Sequence, residues 1–226
     1  MRINAYLARA TNISRRKADV LLEASRVKID GKVATIGSTV ENGKSVVTLD
    51  NHKISLPTSH ITIMLNKPTG YVVSRRGQGA KTIYDLLPTN LRQLKPIGRL
   101  DKNSSGLLLL TNDGQLIQTL SHPKNVKLKA YDVNLDRPLS EKDANAINAG
   151  IKLEDGLSRL KLLNVSQKRT KLNLIMSEGR NRQIRRTFAQ LGYRVIALHR
   201  YEFAGHQLNS LKTGKWRRLE GRQVKR

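Results

Sequence analysis

The sequence contains no cysteine. Disulfides, thiol nucleophiles and cysteine-ligated zinc are thereby excluded, and the usage fits a reducing, cytoplasmic setting. Acidic residues are scarce too: 17 Asp plus Glu stand against 42 Lys plus Arg, for a formal net charge of +25. Such an excess repels itself unless it faces a polyanion, and nucleic acid is the natural partner. A membrane surface is disfavoured by two further absences. No apolar run reaches the roughly 18 residues of a spanning helix, and no long helix opposes a basic face to a bulky apolar one. The opening MRINAYLARATN lacks the apolar core of a secretory signal. Within 226 residues, 38% hydrophobic, there is material for one large or two modest folded domains.

Familiar catalytic motifs are missing as well. Gly77 to Thr82 lacks the G-x-x-x-x-G-K spacing of a phosphate loop and reads as a basic loop. Ser104 and Ser105 are not in a G-x-S-x-G elbow. The five histidines include no i, i+4 pair with a glutamate, so no metal site is expected. A glycosidase needs two carboxylates flanking the bond. Asp113 is the candidate second acid beside Asp101, but Asp113-Gly114 reads better as a helix cap.

What is present begins with a small basic head. Ile3, Tyr6, Leu7 and Ala10 follow the i, i+3, i+4, i+7 spacing of an amphipathic helix. Asn12 and Ser14 break it, and Ser14 is a good N-cap for a second helix with Ala18, Leu21 and Leu22 inward. Arg26 to Val33 then alternates as a strand around an Asp30-Gly31 hairpin turn. Arg15, Arg16 and Lys17 occupy the opening turn of the second helix, where the macrodipole disfavours cations by about 0.3 to 1 kcal/mol each. With the free N–H groups of the helix start they make a phosphate cradle; the alternative is a solvated basic turn. Gly37 to Ser59 is polar, with Asn42-Gly43 and Asn51 as turn signals and a short strand at Val46, Val47 and Leu49. It reads as the end of the head and a linker, dividing the chain into 1–58 and 59–226.

In the body, HITIMLNKPTGYVVS predicts a strand, a turn at Lys67 to Gly70 and a second strand. Further strands are expected at 106–111, 130–135, 160–165, 171–176 and 194–201, and helices at 115–120, 141–149 and 182–191, the last stopped by Gly192. Strands outnumber helices without alternating strictly with them, so the fold class is α+β with a mixed, largely antiparallel sheet.

Asp101 alone would be an ordinary loop residue. Its setting, GRLDKNSSGLLLLTNDG, is similar nearly residue for residue to the catalytic signature of pseudouridine synthases. LNKPTGYVVS, Tyr84 to Pro88 and EGRNRQIRRTFAQLGYRVIALHR also resemble that family, in its ribosomal-RNA-modifying branch of the small-subunit synthase (RsuA) type, while RINAYLARATNISRRKADVLLEASRVKIDGKV resembles the S4-type RNA-binding domain. The resemblance implies that Asp101 performs the chemistry, that Arg185 ion-pairs with it, and that Tyr131 of KAYDVNL stacks on an extruded uracil. It also implies that Arg99 fills the gap left in the base stack. Arg182 lies with Arg185 on one face at i, i+3 and joins Arg15, Arg16 and Lys17 as RNA-binding, while Lys67-Pro68 braces the catalytic loop.

No cofactor is implied. The partner is ribosomal RNA or an assembling ribosomal subunit, met by a monomer. The residues leave open which subunit and which uridine. A noncatalytic RNA-binding assembly factor on the same scaffold is the alternative, against which only Asp101, Arg185 and Tyr131 speak.

Overall fold

In the computed structural model all residues are described except 42, 58, 123, 124, 221–223, 225 and 226. Asn42 of the expected turn, Thr58 beside the expected boundary and most of the EGRQVKR tail lie outside the described residues. The chain divides into two compact units, Met1–His60 and Ile61–Arg226. No helix among the described residues is long and apolar enough to cross a membrane.

The first unit opens with α1 (Ile3–Ala10) and α2 (Arg15–Glu23). Ser14 caps α2, its Oγ accepting the Lys17 backbone N–H at 3.1 Å. Four short strands follow, β1 (Val27–Ile29), β2 (Lys32–Val33), β3 (Val47–Leu49) and β4 (His52–Ile54), in the antiparallel order β2-β1-β3-β4. Both hairpins turn through two left-handed residues, Asp30-Gly31 at φ 50° and 80° and Asp50-Asn51 at φ 50° and 64°. These are the side chains that tolerate such a turn. Ile3, Tyr6, Leu7, Ala18, Leu22, Val27 and Val47 form the core. The segment read as a linker therefore carries the second half of this sheet. His52–Ile54 leaves no pattern in the sequence because it is short, with two exposed residues of three.

The second unit contains β5 (Thr62–Lys67), two single 3₁₀ turns (Ile83–Leu86 and Thr89–Leu91), β6 (Lys95–Pro96), β7 (Ser105–Thr111) and α3 (Gly114–Ser121). Then come β8 (Lys129–Leu135), α4 (Glu141–Ala149), the hairpin β9 (Ile151–Leu153) and β10 (Gly156–Ser158), β11 (Lys161–Val165) and β12 (Lys171–Met176). The last elements are α5 (Gln183–Gln190), β13 (Val195–Phe203), β14 (His206–Gln207) and β15 (Trp216–Leu219). The main sheet runs β11-β12-β8-β13-β7-β5-β15, with β14 beside β13 and β6 beside β7. β7 and β13 are parallel and the other pairs antiparallel, so the unit is α+β with a mixed, largely antiparallel sheet.

The second strand expected after Gly70 reduces to one bridge, Val72 with Thr82. The place beside β5 is taken instead by β7 and β15, which hydrogen-bond along its two edges. Asp113 caps α3, accepting the backbone N–H groups of Gln115 and Leu116. α5 ends in a Schellman turn: Gly192, at φ 79°, donates to Ala189 O and Tyr193 to Phe188 O.

The four leucines of β7 are buried because both sheet faces are covered. Leu108 and Leu110 pack with Ile63, Leu65, Val133 and Phe188 on one side; Leu107 and Leu109 pack with Met64, Leu116, Leu120 and Phe203 on the other. Each is worth about 2 kcal/mol of transfer free energy. This strand is the rigid base on which the preceding loop is mounted.

Candidate active site

Asp101 lies in the loop joining β6 to β7, and its backbone is pinned from several sides. Lys67 ends β5 with no solvent exposure; its Nζ donates to the carbonyls of Ser104 (2.7 Å), Pro68 (2.9 Å) and Asp101 (3.1 Å). Gly70 N–H donates to Lys102 O at 2.8 Å, and Ser104 N–H to Asp101 O at 3.1 Å. Burial pulls the Lys67 pKa from 10.5 down to about 8, while the Asp101 charge works against that fall. The loop leaves through Gly106. A Cβ there would meet Arg200 O at 2.2 Å and N at 2.5 Å, and its φ is +110°. Only glycine lets β13 approach β7 so closely. Arg200, buried, then donates from Nε and Nη2 to Leu107 O at 2.9 and 2.7 Å.

The Asp101 side chain is half-buried and faces a cleft of about 650 Å³, whose lining also includes Arg99, Tyr131 and Arg182. Four of the residues singled out in the sequence thus converge. Tyr131 is buried in β8, in register with Leu174 of β12 and Arg200 of β13. Arg99 is exposed, as is Arg182, which stands at the N-cap of α5 in a left-handed conformation, φ 46°. Asp113 does not line the cleft. Asp113 is therefore not the second acid that a glycosidase would need beside Asp101.

Arg185 departs from expectation. It forms no direct ion pair with Asp101; Nη1 donates to Val195 O and Nη2 to Asn103 O, each at 2.7 Å. The guanidinium thus ties α5 to β13 and to the Asp101 loop, two residues from the acid. Burial and the neighbouring Arg182 lower its pKa, and the Asp101 charge opposes them. Its bond to Asn103 O is a hold on the loop backbone; its action on the carboxylate is through space. Arg15, Arg16 and Lys17 are exposed in the first turn of α2, in the other unit.

Among the cleft residues that the sequence motifs do not single out are Lys129 and Arg180. Lys129 donates to the carbonyls of Glu178 (3.0 Å), Ser177 (3.2 Å) and Lys127 (3.3 Å), fastening the start of β8 to the segment entering α5. Burial, then the Arg200 charge, bring its pKa to about 8, with Glu178 opposing. Its i, i+2 spacing from Tyr131 in an alternating strand was the available signal. Arg180 pairs with Asp155 at 2.7 Å and Glu178 at 3.4 Å and donates to Leu157 O at 2.9 Å. Arg186 reaches the same Asp155 at 2.6 Å. The hairpin β9–β10 is thereby hooked to the N-terminal end of α5, fixing the segment that carries Arg182.

Comparison with known proteins matches the family profile described as RNA pseudouridylate synthase to residues 61–190 and the S4 domain profile to residues 1–46. The chain is 35% identical to the ribosomal large subunit pseudouridine synthase B of Bacillus subtilis (strain 168), covering 100% of this chain and 94% of that protein. It is 34% identical to an uncharacterized RNA pseudouridine synthase of Aquifex aeolicus (strain VF5), over 97% of this chain and 90% of the relative. A crystal structure of a pseudouridylate synthase superposes with a TM-score of 0.71 at 32% identity, covering 99% of this chain and 98% of that one.

Proposed function

The chain belongs to the RNA pseudouridine synthase family and carries an S4 domain at its N-terminus, and from that premise we propose that it isomerises one uridine of large-subunit ribosomal RNA with Asp101 as the catalytic carboxylate. The subunit is taken from the printed name of the Bacillus subtilis relative. The observation that carries the reading is the convergence of Asp101, Tyr131, Arg99 and Arg182 on one cleft, with the backbone under the acid held by Lys67.

The reaction exchanges the bond from uracil N1 to the ribose for one from C5; the proton leaves C5 and N1 gains one, so atoms and electrons balance within the nucleotide. It needs a carboxylate that attacks the sugar or takes a proton from it, and then helps move the C5 proton, in a site closed to water. Positioning is a large part of such catalysis, and a loop misplaced by 1 Å costs about 100-fold. Lys67 and Arg185 hold that loop by its carbonyls and leave the carboxylate directed to the cleft. A stacked base cannot reach it, so the nucleotide is flipped at a cost of a few kcal/mol. Arg99 enters the vacated stack and Tyr131 packs on the extruded ring.

The substrate is free or assembling ribosomal RNA in the cytoplasm, and the enzyme acts as a monomer. Asp101→Ala is expected to abolish tritium release from a large-subunit rRNA transcript carrying 5-tritiated uridine, with RNA affinity kept within a few fold. Equal release by wild type and variant would overturn the assignment and leave the noncatalytic assembly role on the same scaffold.

A further inference from the structure

The loop between β14 and β15 forms a second concavity, of about 400 Å³, away from the residues described above. Its lining holds three cations, Lys212, Lys215 and Arg217, with the hydrogen-bonding side chains Asn209 and Ser210, and no carboxylate. All three cations are exposed. Elsewhere in this unit the arginines with structural work are engaged: Arg180 and Arg186 on Asp155, Arg75, Arg185 and Arg200 on backbone carbonyls. Lys212, Lys215 and Arg217 have no such partner among the described residues. Three unneutralised cations around one concavity repel each other, an arrangement that an anion relieves.

The loop is nonetheless firmly set. Asn66, 5% exposed, receives Gly214 N–H on its carbonyl (2.8 Å), donates its own N–H to Lys215 O (2.9 Å) and its Nδ2 to Leu211 O (2.7 Å). The next residue along β5 is Lys67, whose ammonium holds the Asp101 loop. Adjacent residues of a strand point to opposite faces. The basic concavity and the catalytic loop therefore hang from neighbouring positions at the end of one strand, at a fixed spacing from each other.

We propose that this concavity is a second RNA grip, which takes the phosphodiester backbone of the substrate outside the flipped nucleotide and sets it in register with Asp101. The proposal rests on RNA being the substrate, and it assigns the part of the molecule that holds the flanking chain. Each phosphate neutralised contributes about 0.7 to 0.9 to the salt dependence of log K.

The test compares K212A/K215A/R217A with a control of equal charge loss, K142A/K161A/K168A, using a large-subunit rRNA transcript. Filter binding across a salt series is expected to show the first variant at least tenfold weaker at low salt, with a slope reduced by about 2. The control is expected to stay within threefold. In tritium release the loss is expected in KM, with kcat within twofold, and equal melting temperatures exclude misfolding as the cause. Equal effects of the two variants, or an unchanged slope in the first, would overturn the grip. Wild-type protein that binds the transcript but releases no tritium would strike at the isomerase reading instead, and the binding comparison would still decide the grip.

Discussion

Lys67 occupies a strand position at which a lysine is ordinarily read as facing water, yet its side chain is fully enclosed. An ammonium is costly to bury unless its protons are used, and here three carbonyls use them. Lys67→Met takes this donor from all three oxygens, of which Asp101 O keeps only the Ser104 N–H, at about 3 kcal/mol, and frees the loop under Asp101. Denaturant titration is expected to show that loss and tritium release a kcat about 100-fold lower; an unaltered kcat would show the brace to be irrelevant to the chemistry. The same residue gives stability a pH signature. Burial holds its pKa near 8, below the 10.5 of the unfolded chain, so between those values the unfolded state binds the extra proton. Its contribution to stability therefore rises with pH across that window and is constant below it. Wild type is expected to gain on Lys67→Met between pH 8 and 10; parallel stabilities would contradict it. At this scale the sequence was informative where residues sit in motifs: Arg99, Asp101, Tyr131 and Arg182 were legible and do share a cleft. The partner of Arg185 was not, because a spacing of 84 residues from Asp101 says nothing about which oxygen the guanidinium reaches.

Between elements, the parallel contact of β7 and β13 mounts the Asp101 loop, and its closeness depends on Gly106. Gly106→Ala places a methyl against the Arg200 backbone at a positive φ, neither of which the strand can relieve without moving β13. A loss of about 3 kcal/mol is expected in thermal or denaturant unfolding; a change under 0.5 kcal/mol would mean that the strands tolerate separation. The strong elements were readable because their periodicity is unbroken: Lys171–Met176 and Glu141–Ala149 lie where the pattern places them. Those that escaped are short or lie at an edge. β9 and β10 have three residues each and depend on Asp155 binding Arg180 and Arg186, a tertiary contact without sequence periodicity. β15, Trp-Arg-Arg-Leu, buries only its last residue, so no alternation marks it as a strand.

Over the whole molecule, the excess of positive charge serves two units with separate cores. In the first, Ser14 satisfies the Lys17 N–H, while Arg15, Arg16 and Lys17 point exposed charge from a helix start that itself favours anions. Replacing all three by Ala is expected to weaken RNA binding and reduce its salt slope by about 2; an unchanged slope would remove the first unit from the phosphate contacts. The central claim, that Asp101 converts a uridine of ribosomal RNA in this cleft, is tested most directly by mapping pseudouridines in rRNA from cells that lack the protein. One large-subunit position is expected to remain uridine, to be converted when the wild-type chain is restored, and to stay unconverted with Asp101→Asn expressed at the same level. Conversion at that position by Asp101→Asn, or no missing pseudouridine in the deleted cells, would contradict the account.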